Sequence, residues 1–133
     1  MVINREYALR TVYEFWDDDL CFCLCGAPGE TLKIFKELLN LIFRRYDHDD
    51  EFNYDDFKAG ICNLFQCKTN EMSMEIYYMM AYLLNTIDVL EHGSSIGGSW
   101  LTSNGKILRA CLNLLNDDDL DNFDLYYEES KQN

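Results

Sequence analysis

The sequence predicts an all-α domain, a helical bundle around one central hydrophobic helix. Three observations lead there. Apolar residues return at every third or fourth position in one stretch after another, the repeat of a helix face. No run alternates polar and apolar residues for long enough to make a strand, and no internal repeat is present. The 133 residues include one proline, Pro28, and seven glycines, which suits long helices better than many tight turns. A chain of this length is one domain by size, and 48% hydrophobic residues are available to fill its core.

The elements follow in order. Over residues 3–16, Tyr7, Ala8, Val12, Phe15 and Trp16 form a stripe, with Asn4 placed to cap its start. The acids of "DDDL" oppose the dipole at a helix C-terminus, so this helix is expected to stop at or before Asp17. "CFCLCGAPGE" reads as a connector, broken by Gly26, Pro28 and Gly29. In "ETLKIFKELLNLIFRRY", Leu32, Phe35, Leu38, Leu39, Ile42, Phe43 and Tyr46 make a broad apolar face. Lys33, Lys36, Glu37, Arg44 and Arg45 fall largely outside it, the basic pair at the end that the dipole favours. After the acidic turn "DHDDEFNYDD" comes a third helix, roughly 54–66, carrying Phe57, Ile61, Leu64 and Phe65. A fourth runs from near Asn70 to about Leu90. Its middle is apolar almost all round, the mark of a helix surrounded by others. The glycine-rich "HGSSIGGS", a helix led by Trp100, and a short last helix in "NDDDLDNFDLYY" complete the chain.

A formal charge of −13 argues against nucleic acid or an anionic membrane as partner and favours a basic or amphipathic peptide. The N-terminus has no apolar signal region, no stretch is long and apolar enough to span a bilayer, and "DLYYEESKQN" is no tail anchor. Six cysteines in such a chain read as reduced, intracellular thiols.

Catalytic and cofactor chemistry finds little to stand on, so the expectation is a protein that is not an enzyme and needs no cofactor or metal. His48 and His92 are the two histidines, and there is no phosphate-binding glycine loop and no His-Glu-x-x-His helix. Cys21, Cys23 and Cys25 alternate, but zinc needs a fourth ligand and usually a wider spacing. "RRYDHDDEFNYDDFKAG" offers a runner-up, a calcium-responsive EF-hand-like regulator with Asp47, Asp49 and Glu51 as first ligands. Counted from Asp47, however, Phe52 takes the position of the required glycine and Lys58 that of the bidentate glutamate. A count that uses "FNYDDF" for the short strand and final acid leaves the loop two residues short.

"WLTSNG", residues 100–105, leads into an apolar helix and resembles the second homology motif of the Bcl-2 family of apoptosis regulators. "INREYALRTVYEF" is similar to that family's first helix, and "IFRRY" to the end of its second. "FKAGICNLFQCKTNEMSMEIYY" lies without a gap on its first homology motif and the helix before it. These four stretches follow one another along the chain in the family's order. Departures accompany them. Asn70-Glu71-Met72-Ser73 stands for Asn-Trp-Gly-Arg, so Ser73 replaces the arginine that pairs with a ligand aspartate. Leu39-Asn40 lies near where Gly-Asp would fall, and only 26 residues separate Ser73 from Trp100. A rival register, with Asn53 in place of Asn70, restores that spacing but loses the gapless match. Such divergence and compactness fit a viral member of the family, made by a large DNA virus.

The resemblance implies a Bcl-2-like bundle that inhibits apoptosis by holding the amphipathic Bcl-2 homology 3 helix of pro-apoptotic relatives in a surface groove. Ile42 and Tyr46 would line one wall, Gly60 and Leu64 the other, with Asn70 and Ser73 at the polar centre and Ile76 on the floor. For Ile42, Leu64 and Ile76 core packing explains the same spacing, and for Asn70 a helix cap does. Trp100 would be a buried wedge between two helices, with Asn104-Gly105 as the corner and Gly105 supplying its conformational freedom. The implied setting is the host cytoplasm, at the mitochondrial outer membrane through partners. A homodimer through an exposed groove and a viral modulator of innate immune signalling on the same bundle are further readings.

Overall fold

The structure, a computed structural model, describes residues 2–20, 28–48, 50–123 and 125. The described chain is mostly helical, with one small sheet. In order come α1 (Arg5–Glu14), a π-helical turn (Phe15–Leu20), α2 (Pro28–Phe43), a second π-helical turn (Arg44–His48), α3 (Tyr54–Phe65) and α4 (Asn70–Thr86). They are followed by β1 (Leu90–Glu91), a single 3-10 turn (Ile96–Gly98), β2 (Trp100–Leu101), α5 (Ser103–Leu114) and α6 (Asp117–Asp121). The chain divides into two compact units, Met1–Lys36 with Ile107–Asn133, and Glu37–Lys106; the divisions fall within α2 and within α5. Among the described residues no helix is long and apolar enough to cross a membrane.

In the first unit Asn4 caps α1 as its sequence suggests, its side chain accepting from the Tyr7 N–H at 2.8 Å. The α-helix ends at Glu14, before Asp17 as expected, but the chain does not leave the helical path there. Phe15 and Trp16 are 6% and 3% exposed and carry the helical path on to Leu20 as a wider turn. Burying two aromatic side chains gains roughly 1.5–3 kcal/mol each, whereas acids at a helix C-terminus cost about 0.3–1 kcal/mol each. Packing wins. Phe15 meets the Phe35 ring edge-on at 5.9 Å between centroids. The short last helix, α6, is closed by Asn116 and Asp119 in a reciprocal cap, and the Asp119 carboxylate also accepts the Arg5 guanidinium at 2.8 Å. That hydrogen bond holds the Asp119 carboxyl below its usual range, against the opposing effect of its burial.

The second unit holds every residue of the expected groove. The α2 face is as its spacing requires, with Leu38, Leu39 and Ile42 fully buried. Arg45 departs from expectation. Its guanidinium lies 4.8 Å from the Tyr46 and Phe57 ring centroids and 5.2 Å from that of Tyr54, and it donates to the Gly97 carbonyl at 3.1 Å. Asn53 and Asp56 form a reciprocal cap on α3, and Gln66 ends that helix in the left-handed conformation at φ 47°.

α4 ends at Thr86, short of Leu90, and is not enclosed on all sides. Met74, Tyr77, Ala81 and Leu84 make a buried stripe, while Met72, Met79 and Tyr82 stand 49%, 64% and 63% exposed. The outer face reads as apolar because methionine and tyrosine occupy it, and both tolerate partial exposure. Tyr77 packs edge-on against Phe57 at 5.2 Å, and its hydroxyl donates to the Gly97 carbonyl at 3.0 Å. Burial lifts this phenol well above its ordinary range, so it stays a neutral donor.

Trp100 does not start a helix and is not a wedge between two. It lies in β2, antiparallel to β1 with Glu91 as its partner, and is half-buried. Its indole N–H donates to the Glu91 carboxylate at 2.8 Å, and its ring meets Tyr46 edge-on at 6.4 Å. Two-residue strands are too short to leave an alternating pattern, which is why periodicity missed them.

Asn104-Gly105 is likewise no corner between helices; it lies in the first turn of α5. Thr102 caps that turn, its hydroxyl accepting the Gly105 N–H at 2.9 Å and donating to the Asp88 carbonyl at 2.7 Å. Asn104 donates to the Asp88 carboxylate at 2.7 Å. Gly105 does not have positive φ; a Cβ there would sit 2.1 Å from the Val89 carbonyl oxygen. The glycine serves a close approach of backbones, with no call on its conformational freedom.

Candidate helix-docking face

α3 presents two flanks beside its buried Phe57–Ile61 stripe, as helical spacing requires. On one flank Gly60 and Leu64 join Glu37, Leu41 and Asn63 around a hollow of about 300 Å³. Leu41 and Gly60 are shared with a neighbouring hollow of about 490 Å³, lined also by Arg44, Glu51, Phe52, Asp56 and Ala59. The two together make a furrow between α2 and α3. Glu37 and Leu41 on α2 and Arg44, the first residue of the π-helical turn after it, recur at four and three residues and line it from one side.

Gly60 and Leu41, which line both hollows, stand close together. A Cβ on Gly60 would lie 2.6 Å from Leu41 Cδ2, so Leu41 occupies the space that a side chain on α3 would need. The furrow is open on either side of this pair and pinched at it. The Arg44 guanidinium lies over the Phe52 ring, 4.1 Å from its centroid, at the end of the larger hollow.

The other flank of α3 faces α4. There Asn70 lines a hollow of about 220 Å³ with Tyr54, Lys58, Glu71, Met74, Glu75 and Tyr78. Partial burial and the neighbouring Tyr54 hydroxyl raise the Tyr78 phenol above its usual range.

The seven expected groove residues therefore do not share one surface. Gly60 and Leu64 meet in the α2–α3 furrow, and Asn70 belongs to the separate hollow beside α4. Ile42 is fully buried in the core, while Ile76 is half-buried on α4. Tyr46 is 40% exposed and packs on Trp100. Ser73 is 1% exposed and accepts the Cys67 N–H through its hydroxyl, so it is committed to the turn between α3 and α4. Thr69, not Asn70, caps α4, accepting the Met72 N–H at 3.1 Å.

Sequence reasoning missed Glu37, Leu41, Phe52, Asp56 and Asn63. The spacing of 37, 41 and 44 along the outer face of α2 and the turn after it was the available signal. Its charged ends made that face look merely solvated.

The chemistry on offer is burial of apolar side chains with ionic contacts at the rim. Among the described residues no three His, Cys, Asp or Glu side chains group as a metal site. Cys21, Cys23, Cys25 and Asp49, and the side chains of Asp47 and His48, lie outside the described residues. Lys58 sits within α3, not in a loop. No family model matches the chain, and no curated protein or solved structure matches it.

Proposed function

We propose that this protein is a viral inhibitor of apoptosis of the Bcl-2 type, which holds the death-motif helix of a pro-apoptotic partner along the α2–α3 furrow. The reading makes it a binding protein acting in the host cytoplasm, brought to the mitochondrial outer membrane by its partners. One observation carries it. Gly60 and Leu64, expected on a groove wall from the resemblance, both line a furrow between two of the three helices on which the groove would be built. A helix lying there would set apolar side chains at i, i+3 or i+4 and i+7 on either side of the Leu41–Gly60 pinch.

The groove so read differs from the one the resemblance implied. Its polar centre has no arginine, and Ser73 is buried on α4 with its hydroxyl bound to the preceding turn, out of reach of a ligand. A death-motif aspartate would thus enter without a charged partner at that position, and leaving one side of a buried pair unmatched costs about 2–5 kcal/mol. Narrow ligand choice follows, limited to helices with strong apolar anchors elsewhere.

Calorimetry of the full chain against a panel of pro-apoptotic helix peptides tests both statements. Expected is saturable binding of a few peptides, at least tenfold tighter than the rest, with amide shifts concentrated at Gly60, Asn63 and Leu64. Uniform tight binding would remove the selectivity argument. No heat and no rise in Tm with any peptide would remove the function.

A further inference from the structure

We infer that the helix taken by the furrow is basic along its polar flank; this rests on the reading of the furrow as a helix-docking groove. The described residues lining the two hollows include three carboxylates, Glu37, Glu51 and Asp56, against one cation, Arg44. Arg44 lies over Phe52, and Glu51 and Asp56 have partners of their own, so the surplus along the described rim is one of net charge. The acids bracket the apolar part, Glu37 in the smaller hollow and Glu51 with Asp56 in the larger. Asp56 keeps its place through the α3 cap, accepting the Asn53 N–H at 3.1 Å.

The chain as a whole carries a formal charge of −13, so the wider field has the same sign as the rim. Apolar contact at Leu41, Gly60 and Leu64 is indifferent to the occupant's charge, but the rim is not. An acidic flank would meet like charges on both sides of the pinch, and lysine or arginine would meet opposite ones. Rim charges act chiefly on encounter, so the preference belongs in the association rate and weakens with salt. The partner named by this chemistry is an amphipathic helix with apolar anchors, lysine or arginine beside them, and no dependence on a central aspartate.

The test uses the full chain and pairs of death-motif helix peptides with identical anchors, one with lysine and one with glutamate at the flanking positions. Stopped-flow binding at about 50 and 500 mM salt is the readout. At low salt the lysine peptide is expected to bind at least tenfold faster, with the advantage shrinking severalfold at high salt. Glu37→Lys with Glu51→Lys should abolish or reverse the preference; Asp56 is left alone because it caps α3. Glu6→Lys with Glu14→Lys, on exposed positions of α1, changes the overall charge equally and should leave most of the preference. Equal, salt-insensitive binding of both peptides overturns the inference while the docking groove stands. A preference lost equally in both double variants overturns the local rim and leaves only the global field. Binding of neither peptide overturns the docking reading itself.

Discussion

Two glycines of the second unit, Gly105 and Gly60, look alike in the sequence and do opposite things. Both sit inside helices, and both stand where an added methyl group would collide with a neighbour. At Gly105 the neighbour is backbone, the Val89 carbonyl at 2.1 Å. At Gly60 it is the end of a side chain, Leu41 Cδ2 at 2.6 Å. Backbone fixed by the Thr102 cap and the β1–β2 pair cannot give way without unravelling a corner. A leucine can change rotamer at a cost of order 1 kcal/mol. The first contact is therefore a lock, and the second is a latch on the furrow.

The largest expected effect breaks the lock. Gly105→Ala should destabilise the protein by about 3 kcal/mol, at the upper end of overpacking costs, with a fall in Tm on the order of 10 °C. Denaturant unfolding followed by circular dichroism measures it. A change under 1 kcal/mol would mean that Val89 and the start of α5 move apart freely, and the contrast between the two glycines would vanish.

Gly60→Ala should do little to stability. Helix propensity gains about 1 kcal/mol from the substitution, and displacing Leu41 costs about as much. The net change is expected within about 1 kcal/mol of zero, while peptide binding in the furrow weakens as the methyl group and the displaced leucine fill it. A second background sharpens the point. With Leu41→Ala already present the obstruction is gone, so Gly60→Ala should then stabilise by about 1 kcal/mol, a coupling measurable by a double-mutant cycle. Additivity between the two changes would show that Leu41 does not hold the pinch.

What the sequence disclosed follows the same division. The stripes of α1 and α2 were legible because burial on one side of a helix writes itself at three- and four-residue spacing, as Leu32, Phe35, Leu38, Leu39 and Ile42 do. The cap at Asn4 lies within four residues of what it binds, so local reasoning reaches it. The furrow was only half legible. Gly60 and Leu64 were expected on it, but Leu41 enters through the distance between two helices, which no single helix encodes. Ile42 and Ser73 were expected at the surface because their positions in a motif were known and their rotation toward the core was not. Gly105 was expected for its torsion and serves a close backbone approach instead, since a sequence cannot say whether a glycine is needed for its torsion or for its missing methyl group.

The smallest effect tests the corner where torsion does matter. Asp88 has φ 61°, a left-handed conformation in a residue with a side chain, and its carboxylate accepts from Asn104 at 2.7 Å. Asp88→Ala keeps the unfavourable torsion and loses the bond. Asp88→Gly loses the same bond but relieves the torsion. Left-handed backbone costs a residue with a Cβ about 1 kcal/mol relative to glycine, and an exposed hydrogen bond to a charged group contributes less than a buried one. The alanine variant should thus be less stable than the glycine variant by about 1 kcal/mol, with the glycine variant close to the parent protein. If the two variants unfold together, the Val89–Gly105 corner is held by its close backbone contact alone, and the torsion at Asp88 adds nothing to the lock.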